Sequence, residues 1–155
     1  GNNNLLMVYC HIAHDCNIKN NIVIANNVQI AGHVTIEDRA IIGGSCAIHQ
    51  FSRIGESSMV GGMTGVLSDV IPFGLASGPR AALHGLNLVG LRRRGFSAAQ
   101  ISAVRGAYRQ LFVQDGLFAD KLNQLKAEQG SDEMVSLLIE FIEEGQDKNL
   151  CQPQK

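Results

Sequence analysis

Four of the five histidines lie in the first third of the chain, close to acidic residues and glycines that could assist proton transfer. Asp15 follows His14, and a carboxylate beside a neutral imidazole can fix its tautomer and stabilise the imidazolium formed when it accepts a proton. Gly32 lies eighteen residues beyond His14, and its backbone amide could donate to a developing oxyanion. These residue types predict general-base chemistry on a hydroxyl or an amine, through a tetrahedral intermediate.

These residues, and the other polar residues that could line a site, also have simpler structural interpretations. A single histidine in a turn is usually solvated, and an aspartate in a turn often bonds its own backbone. Gly32 could serve only as a tight corner, and Gln50 as one rung of a polar ladder. The basic run at 92–94 could be a solvated helix end, where cations are favoured by the helix dipole. The chemical interpretation therefore depends on whether the fold brings the histidines together.

The elements that must position these residues follow a six-residue repeat from Leu5 to Val70. The second position of every hexad is aliphatic, and the sixth is small or compact. Neither an α-helix nor an ordinary strand has this period, whereas a parallel β-helix does. The repeat predicts a mainly β fold in which the second-position side chains stack inside the coil. The second positions are Leu6, Ile12, Ile18, Ile24, Ile30, Ile36, Ile42, Ile48, Ile54, Val60 and Val66.

Three hexads form one triangular turn in the usual version of this fold, so residues eighteen apart should stack at the inter-strand spacing of about 4.8 Å. This register places His14, Gly32 and Gln50 in one column. It places Asp15 below His33 in the next column, with His49 beside Gln50 and His11 on the strand that leads to His14. We therefore expect these residues to share one corner over three coils. No serine or cysteine occupies the His14 column within those coils, which favours direct transfer over a covalent intermediate.

The period changes after Val70, and the sequence predicts three parts: a β-helix over 1–72, an irregular connection over 73–81 and a helical domain over 82–155. Ser97 and Gln100 form a capping-box pattern at the start of one helix. Two further helices are predicted over 117–127 and 132–144, the second capped by Ser131. The tail from about Gly145 is polar and expected to fray. We expect the helices to cap the last coil or to pack in an oligomer.

Composition restricts the possible classes of protein. The formal net charge is -1, which argues against a partner nucleic acid or a membrane surface. No apolar run is long enough for a transmembrane helix. The four cysteines lack the spacing of a disulfide framework, and no signal peptide is visible, so we expect reduced thiols and a cytoplasmic location. The chain begins inside the repeat without Met, which favours the C-terminal part of a longer protein.

The segments HIAHDC, IAGHV, IIGG followed by AIHQF, and NLVGLRRRGFS resemble the acyl-carrier-protein-dependent UDP-N-acetylglucosamine O-acyltransferases, the first enzymes of lipid A synthesis. The resemblance implies a left-handed β-helix followed by a small C-terminal helical domain, assembled as a homotrimer with active sites between subunits. It also implies acyl carrier protein and UDP-N-acetylglucosamine as partners. No resident cofactor or metal is expected, because the acyl group arrives on the phosphopantetheine of the carrier protein.

The same resemblance assigns roles to individual residues. His14 would be the general base for the glucosamine 3-hydroxyl, Asp15 its partner and the Gly32 amide the oxyanion donor. Gly62 would leave the acyl groove open for a longer 3-hydroxyacyl chain. The residues that would contact the nucleotide sugar, the thioester or the carrier protein are His11, His33, His49, Gln50, Asn87, Arg93 and Arg94.

Three alternatives remain open at this point. The N-acyltransferase of the same pathway would use a similar base on a 3-amine. A metal-dependent carbonic anhydrase of the hexapeptide class would use three histidines at a subunit interface as ligands. A trimeric scaffold would keep the fold without the activity.

Overall fold

The structure, a computed structural model, describes residues 1–145 and 149–154. Its first half is a three-sided parallel β-helix in which each hexad contributes one two-residue strand. The strands are β1 (Leu5–Leu6), β2 (His11–Ile12), β3 (Asn17–Ile18), β4 (Val23–Ile24), β5 (Gln29–Ile30), β6 (Thr35–Ile36), β7 (Ile41–Ile42), β8 (Ala47–Ile48), β9 (Arg53–Ile54), β10 (Met59–Val60) and β11 (Gly65–Val66). The predicted fold class, a left-handed parallel β-helix followed by helices, is confirmed.

Every third strand pairs in parallel with the one a full turn later, so the predicted eighteen-residue register is confirmed. One face of the coil contains β1, β4, β7 and β10, a second contains β2, β5, β8 and β11, and the third contains β3, β6 and β9. The second-position aliphatics from Ile24 to Val66 are buried, together with compact sixth-position residues such as Val28 and Cys46. The interior therefore consists of stacked side chains, which stabilise neighbouring coils in turn.

The corners of the coil have one recurring backbone conformation. The fifth residue of each hexad from Tyr9 to Met63 has a positive φ, between 54° and 62°. Asparagine tolerates this left-handed region best among residues with a side chain, but the corners also hold histidine, arginine and phenylalanine there. Because fifth-position residues one turn apart share this conformation, their side chains leave the corner in the same direction and lie one above another.

After the last full hexad the chain forms a β-hairpin, which corrects the expected irregular connection and early helix. Strand β12 (Gly74–Ser77) pairs in parallel with β10, and β13 (Ala82–Leu86) pairs antiparallel with β12. Leu83 and Leu86 both face the core although they are three residues apart. The register shifts along this pairing, and Gly85 has a φ of 109°, so the strand carries an irregularity that imitates helical spacing.

Four helices follow: α1 (Leu88–Arg93), α2 (Ala98–Phe112), α3 (Phe118–Gln129) and α4 (Glu133–Glu144). The capping box of Ser97 and Gln100 is confirmed at the start of α2. The cap of α4 is Asp132 rather than Ser131, because the Asp132 carboxylate accepts from the amides of Met134 and Val135. None of the described helices is long and apolar enough to cross a lipid bilayer.

The helices pack against the coil. Leu111 of α2, Leu125 of α3 and Leu138 of α4 belong to the same buried cluster as the coil aliphatics, which confirms packing of the helices on the β-helix. The predicted fraying of the tail is wrong for the part described after residue 148. There Cys151 is buried, its amide donates to the Asp69 carbonyl, and the Gln152 carbonyl accepts from the Leu83 amide.

Candidate active site

The strongest concentration of reactive side chains lies where the second face of the coil turns into the third. This corner, called the histidine corner below, comprises His14, Asp15, Gly32, His33, Gln50 and Phe51 on three successive coils. The amide of His33 donates to the His14 carbonyl at 3.0 Å, and the amide of Phe51 donates to the Gly32 carbonyl at 3.1 Å. The corner is therefore held by its backbone, independently of its side chains.

His14 and Asp15 form a close pair at the lowest of these coils. The distance between His14 Nδ1 and Asp15 Oδ2 is 2.8 Å. Because an ionised carboxylate can only accept a hydrogen bond, Nδ1 carries the proton in the neutral imidazole and Nε2 keeps a lone pair. The hydrogen bond from His14 and the charge of His33 hold the pKa of Asp15 below its usual value. The pair thus has the polarity needed for a general base that accepts a proton at Nε2.

His33 lies one coil above Asp15, as the register predicted. Its Nε2 is 3.9 Å from Asp15 Oδ2, and its ring meets the His14 ring edge to face at 5.0 Å between centroids. On its other side His33 stacks on Phe51, with centroids 4.7 Å apart and planes inclined by only 11°. Both imidazoles therefore face a single carboxylate.

Gly32 packs directly against the His14 ring. A Cβ built on Gly32 would lie 2.8 Å from both Cε1 and Nε2 of His14, closer than any real contact of that kind. Among the described residues, the Gly32 amide has no hydrogen-bond acceptor. Only glycine fits at this position with the imidazole in place, and its amide is left without a partner in the described residues. The predicted proximity of imidazole and bare glycine is confirmed.

The remaining predicted contact residues on this side lie close to the same corner. His11 is the first residue of β2, and His49 follows β8 on the same face of the coil. The ring of His49 lies with Nδ1 3.1 Å from the Gln50 carbonyl oxygen. The structure therefore brings His11, His49 and Gln50 to the side of the molecule that carries His14.

Four predicted residues lie elsewhere in a single chain. Gly62 stacks over Gly44 at the corner between the first and second faces, where its Cβ would lie 3.3 Å from the Gly44 carbonyl oxygen. Arg93 ends α1, next to Arg94. Asn87 and Arg94 attach α1 to the third corner of the coil, where the third face turns back into the first. Their predicted roles in substrate binding remain predictions.

At this third corner both polar atoms of the Asn87 side chain are bonded, whereas Nη1 of Arg94 is buried without a hydrogen-bond partner among the described residues. Asn87 is 5% exposed, donates through Nδ2 to the Ser57 carbonyl at 3.0 Å and accepts from the Gly90 amide. Arg94 donates to the Arg39 carbonyl, and burial together with the nearby Arg39 charge lowers the pKa of Arg94. Asn87 is thus the cap of α1, a structural role that the sequence did not predict.

The histidine corner also has the donor set of a metal site. His14, Asp15 and His33 each offer one ligand atom, and these atoms lie within 4.8 Å of one another, the one such group among residues 1–145 and 149–154. Two imidazoles and a carboxylate suit zinc and other transition metals. The geometry alone therefore supports two uses of the corner, a general base and a cation site.

Comparison with known proteins distinguishes between families. Residues 69–151 match a protein-family model described as UDP N-acetylglucosamine O-acyltransferase, domain 2. A curated relative named acyl-[acyl-carrier-protein]–UDP-N-acetylglucosamine O-acyltransferase, from Rhizobium rhizogenes, is 44% identical over 155 residues, which cover 100% of this chain and 57% of the relative. A relative of the same name from Burkholderia orbicola is 49% identical, over 94% of this chain and 57% of its own length.

Solved structures support the same relationship. The UDP-N-acetylglucosamine O-acyltransferase of Moraxella catarrhalis superimposes with a TM-score of 0.91 at 42% identity, over 97% of this chain and 58% of that one. The Arabidopsis UDP-N-acetylglucosamine acyltransferase gives a TM-score of 0.91 at 38% identity, over 99% and 55%. The chain thus spans somewhat more than half the length of its relatives. Its sequence and fold together show that it belongs to the UDP-N-acetylglucosamine O-acyltransferase family.

Proposed function

We propose that the protein transfers a 3-hydroxyacyl chain from acyl carrier protein to the glucosamine 3-hydroxyl of UDP-N-acetylglucosamine, the first step of lipid A biosynthesis. The names of the relatives support the reaction class. The observation that carries the proposal is the His14–Asp15 pair packed against the bare backbone of Gly32. This arrangement supplies a base and an oxyanion donor at one point, with no serine or cysteine in the His14 column over the three coils of the corner.

In the proposed mechanism, His14 Nε2 removes the proton of the sugar hydroxyl as its oxygen attacks the thioester carbonyl. A C–O bond forms, the carbonyl π electrons move to oxygen, and the Gly32 amide donates to the resulting oxyanion. Asp15, held ionised, stabilises the imidazolium. Collapse of the intermediate breaks the C–S bond, and His14 returns its proton to the departing thiolate. The base is thereby regenerated without a covalent enzyme intermediate.

We further infer a homotrimer in which neighbouring subunits complete each site. His14 and Asp15 are 73% and 66% exposed in a single chain, too open to exclude water from a thioester. A neighbouring copy could bring the Gly62 corner, where Gly62 would set the length of the acyl groove. It could also bring Arg93 and Arg94, while His11, His33, His49 and Gln50 line the cleft.

We propose a cytoplasmic location, consistent with four free cysteines.

Two other enzymes would use the same corner differently. The N-acyltransferase of the pathway would need only a 3-amine on the acceptor. A metal-dependent carbonic anhydrase would use three histidines at a subunit interface. Within the described part of one chain, the donor atoms close enough to share a cation are those of His14, Asp15 and His33. Metal analysis of the purified protein distinguishes this last candidate, because stoichiometric zinc, cobalt or iron would contradict a base function for His14.

The decisive experiment incubates the chain with a 3-hydroxyacyl carrier protein and UDP-N-acetylglucosamine, and measures acylated sugar nucleotide by mass spectrometry. Donors of several chain lengths in the same assay test the role of Gly62. We expect His14→Ala to lower turnover by about 100-fold or more, the usual contribution of a general base. His84→Ala is the matched control, since His84 is exposed on β13 and absent from the histidine corner. Product formation unchanged in His14→Ala would reject the assignment of the base, and a chain that forms no product would favour a scaffold.

A further inference from the structure

Phe51 occupies a position that is unfavourable for a phenylalanine. Its φ is 62°, in the left-handed region where residues with a Cβ are strained, and a bulky ring there is uncommon. Its side chain also remains 53% exposed, so the ring is not there to fill the core. Neither backbone preference nor burial accounts for the residue, and its contacts must supply another reason.

The contact that Phe51 makes is specific. Asp15, His33 and Phe51 have φ values of 58°, 59° and 62° and lie on successive coils, so their side chains leave the corner in parallel. The Phe51 ring lies flat against the His33 imidazole, with 4.7 Å between centroids. Because the amide of Phe51 donates to the Gly32 carbonyl, the coil fixes the backbone from which this ring projects.

The orientation of His33 affects His14 through two further contacts. His33 is held with Nε2 3.9 Å from Asp15 Oδ2, while the same oxygen accepts from His14 at 2.8 Å. An imidazole free to rotate into solvent, or down onto the carboxylate, would change the contacts that Asp15 makes. The stacked ring removes that freedom on one side, and the edge of His14 limits it on the other.

We propose that Phe51 is a positioning residue that orients His33 above Asp15, and through Asp15 keeps His14 in the tautomer that can accept a proton at Nε2. The proposal rests on the function proposed above, since it concerns the same base. It assigns Phe51 no contact with substrate. Its effect should therefore fall mainly on turnover, with a smaller change in substrate affinity through His33, which lines the proposed cleft.

The test compares Phe51→Leu with Phe51→Tyr, which keeps the ring, and with Tyr9→Leu as the matched control. Tyr9 is also an aromatic residue with a φ of 62° at a corner, but it is 85% exposed and lies in a different column from His33, one coil below Asn27. We expect Phe51→Leu to lower kcat by about two- to tenfold, in keeping with the modest strength of one ring pair, with little change in KM. Phe51→Tyr should restore kcat, and Tyr9→Leu should leave it unchanged.

A second readout does not need substrate. Nuclear Overhauser contacts between the His14 and His33 rings should be lost in Phe51→Leu and retained in Phe51→Tyr. If these contacts persist in Phe51→Leu, or if that variant changes KM and not kcat, Phe51 does not act by positioning. Because the spectra are independent of turnover, a native chain without acyltransferase activity would reject the proposed function and leave this test intact.

Discussion

The guanidinium of Arg53 makes several contacts at the junction between the coil and the helices. Its Nε donates to Asp69 Oδ2 at 2.8 Å, and its Nη2 donates to the Phe141 carbonyl at 2.7 Å, near the C-terminal end of α4. The same group lies 4.1 Å from the centre of the Phe141 ring. Asp69 is only 1% exposed, and its carbonyl accepts from the Cys151 amide in the tail. The Arg53 side chain thus joins the last coil to α4. Its partner Asp69 also binds the tail through its backbone carbonyl.

Replacing Arg53 by methionine keeps the aliphatic stem but leaves the Asp69 carboxylate buried without its cation. Breaking a buried pair in this way typically costs about 3–5 kcal/mol. Because the Arg53 side chain is 20% exposed, water can partly replace it, and we expect the lower end, about 3 kcal/mol. Urea unfolding followed by circular dichroism measures this as a change in the free energy of unfolding.

The double variant Arg53→Met, Asp69→Asn identifies the source of the loss. It removes the unpaired buried charge. In the native chain the backbone amide of Arg53 donates to Asp69 Oδ1 at 2.9 Å, and the oxygen of an asparagine can still accept this hydrogen bond. We expect it to regain about 1–2 kcal/mol relative to the single Arg53 variant. Lys126→Met is the control, because the pair of Lys126 and Glu143 is exposed and should contribute less than about 1 kcal/mol. An Arg53→Met loss no larger than that of Lys126→Met would refute this account.

Two further predictions concern single groups. In Gly32→Ala the new methyl would displace the His14 ring, so turnover should fall about 100-fold. The unfolding midpoint should change little, because the φ of Gly32 is not positive. Normal turnover in this variant would contradict the packing of Gly32 against His14. Burial raises the pKa of Cys151 from 9.0 to about 11, and its thiol donates to the Ala81 carbonyl. A thiol pKa raised by folding stabilises the protein below pH 9 and ceases to do so as the pH rises to 11. The stability advantage of the native chain over Cys151→Ala should therefore shrink across that window in denaturation midpoints measured at each pH, and a constant difference would count against burial of the thiol.

The repeat made most of the coil predictable, because one periodic rule fixes both the inward side chains and the register. His14, Gly32 and Gln50 could be placed in one column from their numbers alone. The helical segments were predicted where the local signals were complete, as in the capping box of Ser97. Where two signals competed, as at Ser131 and Asp132, the sequence did not indicate which side chain reaches the amides of α4.

The hairpin and the tail could not be predicted, because their stability comes from contacts distant in sequence. The irregular β13 strand gives Leu83 and Leu86 a helix-like spacing, and only pairing with β12 makes it a strand. The tail is polar in sequence and predicts no structure. It is held by hydrogen bonds to the backbones of Asp69 and Leu83, which are distant along the chain. Local composition gives no sign of either partner.

The sequence by itself therefore determined the coil, its eighteen-residue turn and the set of side chains that meet at the histidine corner. Only the tertiary structure decided that Asn87 and Arg94 attach α1 to another corner, and that Arg53 links the coil to α4. The physical reason is that a stacked coil is governed by nearest-neighbour contacts at fixed separation, which a repeat encodes directly. The packing of the helices against the coil depends on shape and on isolated polar pairs, for which no period exists.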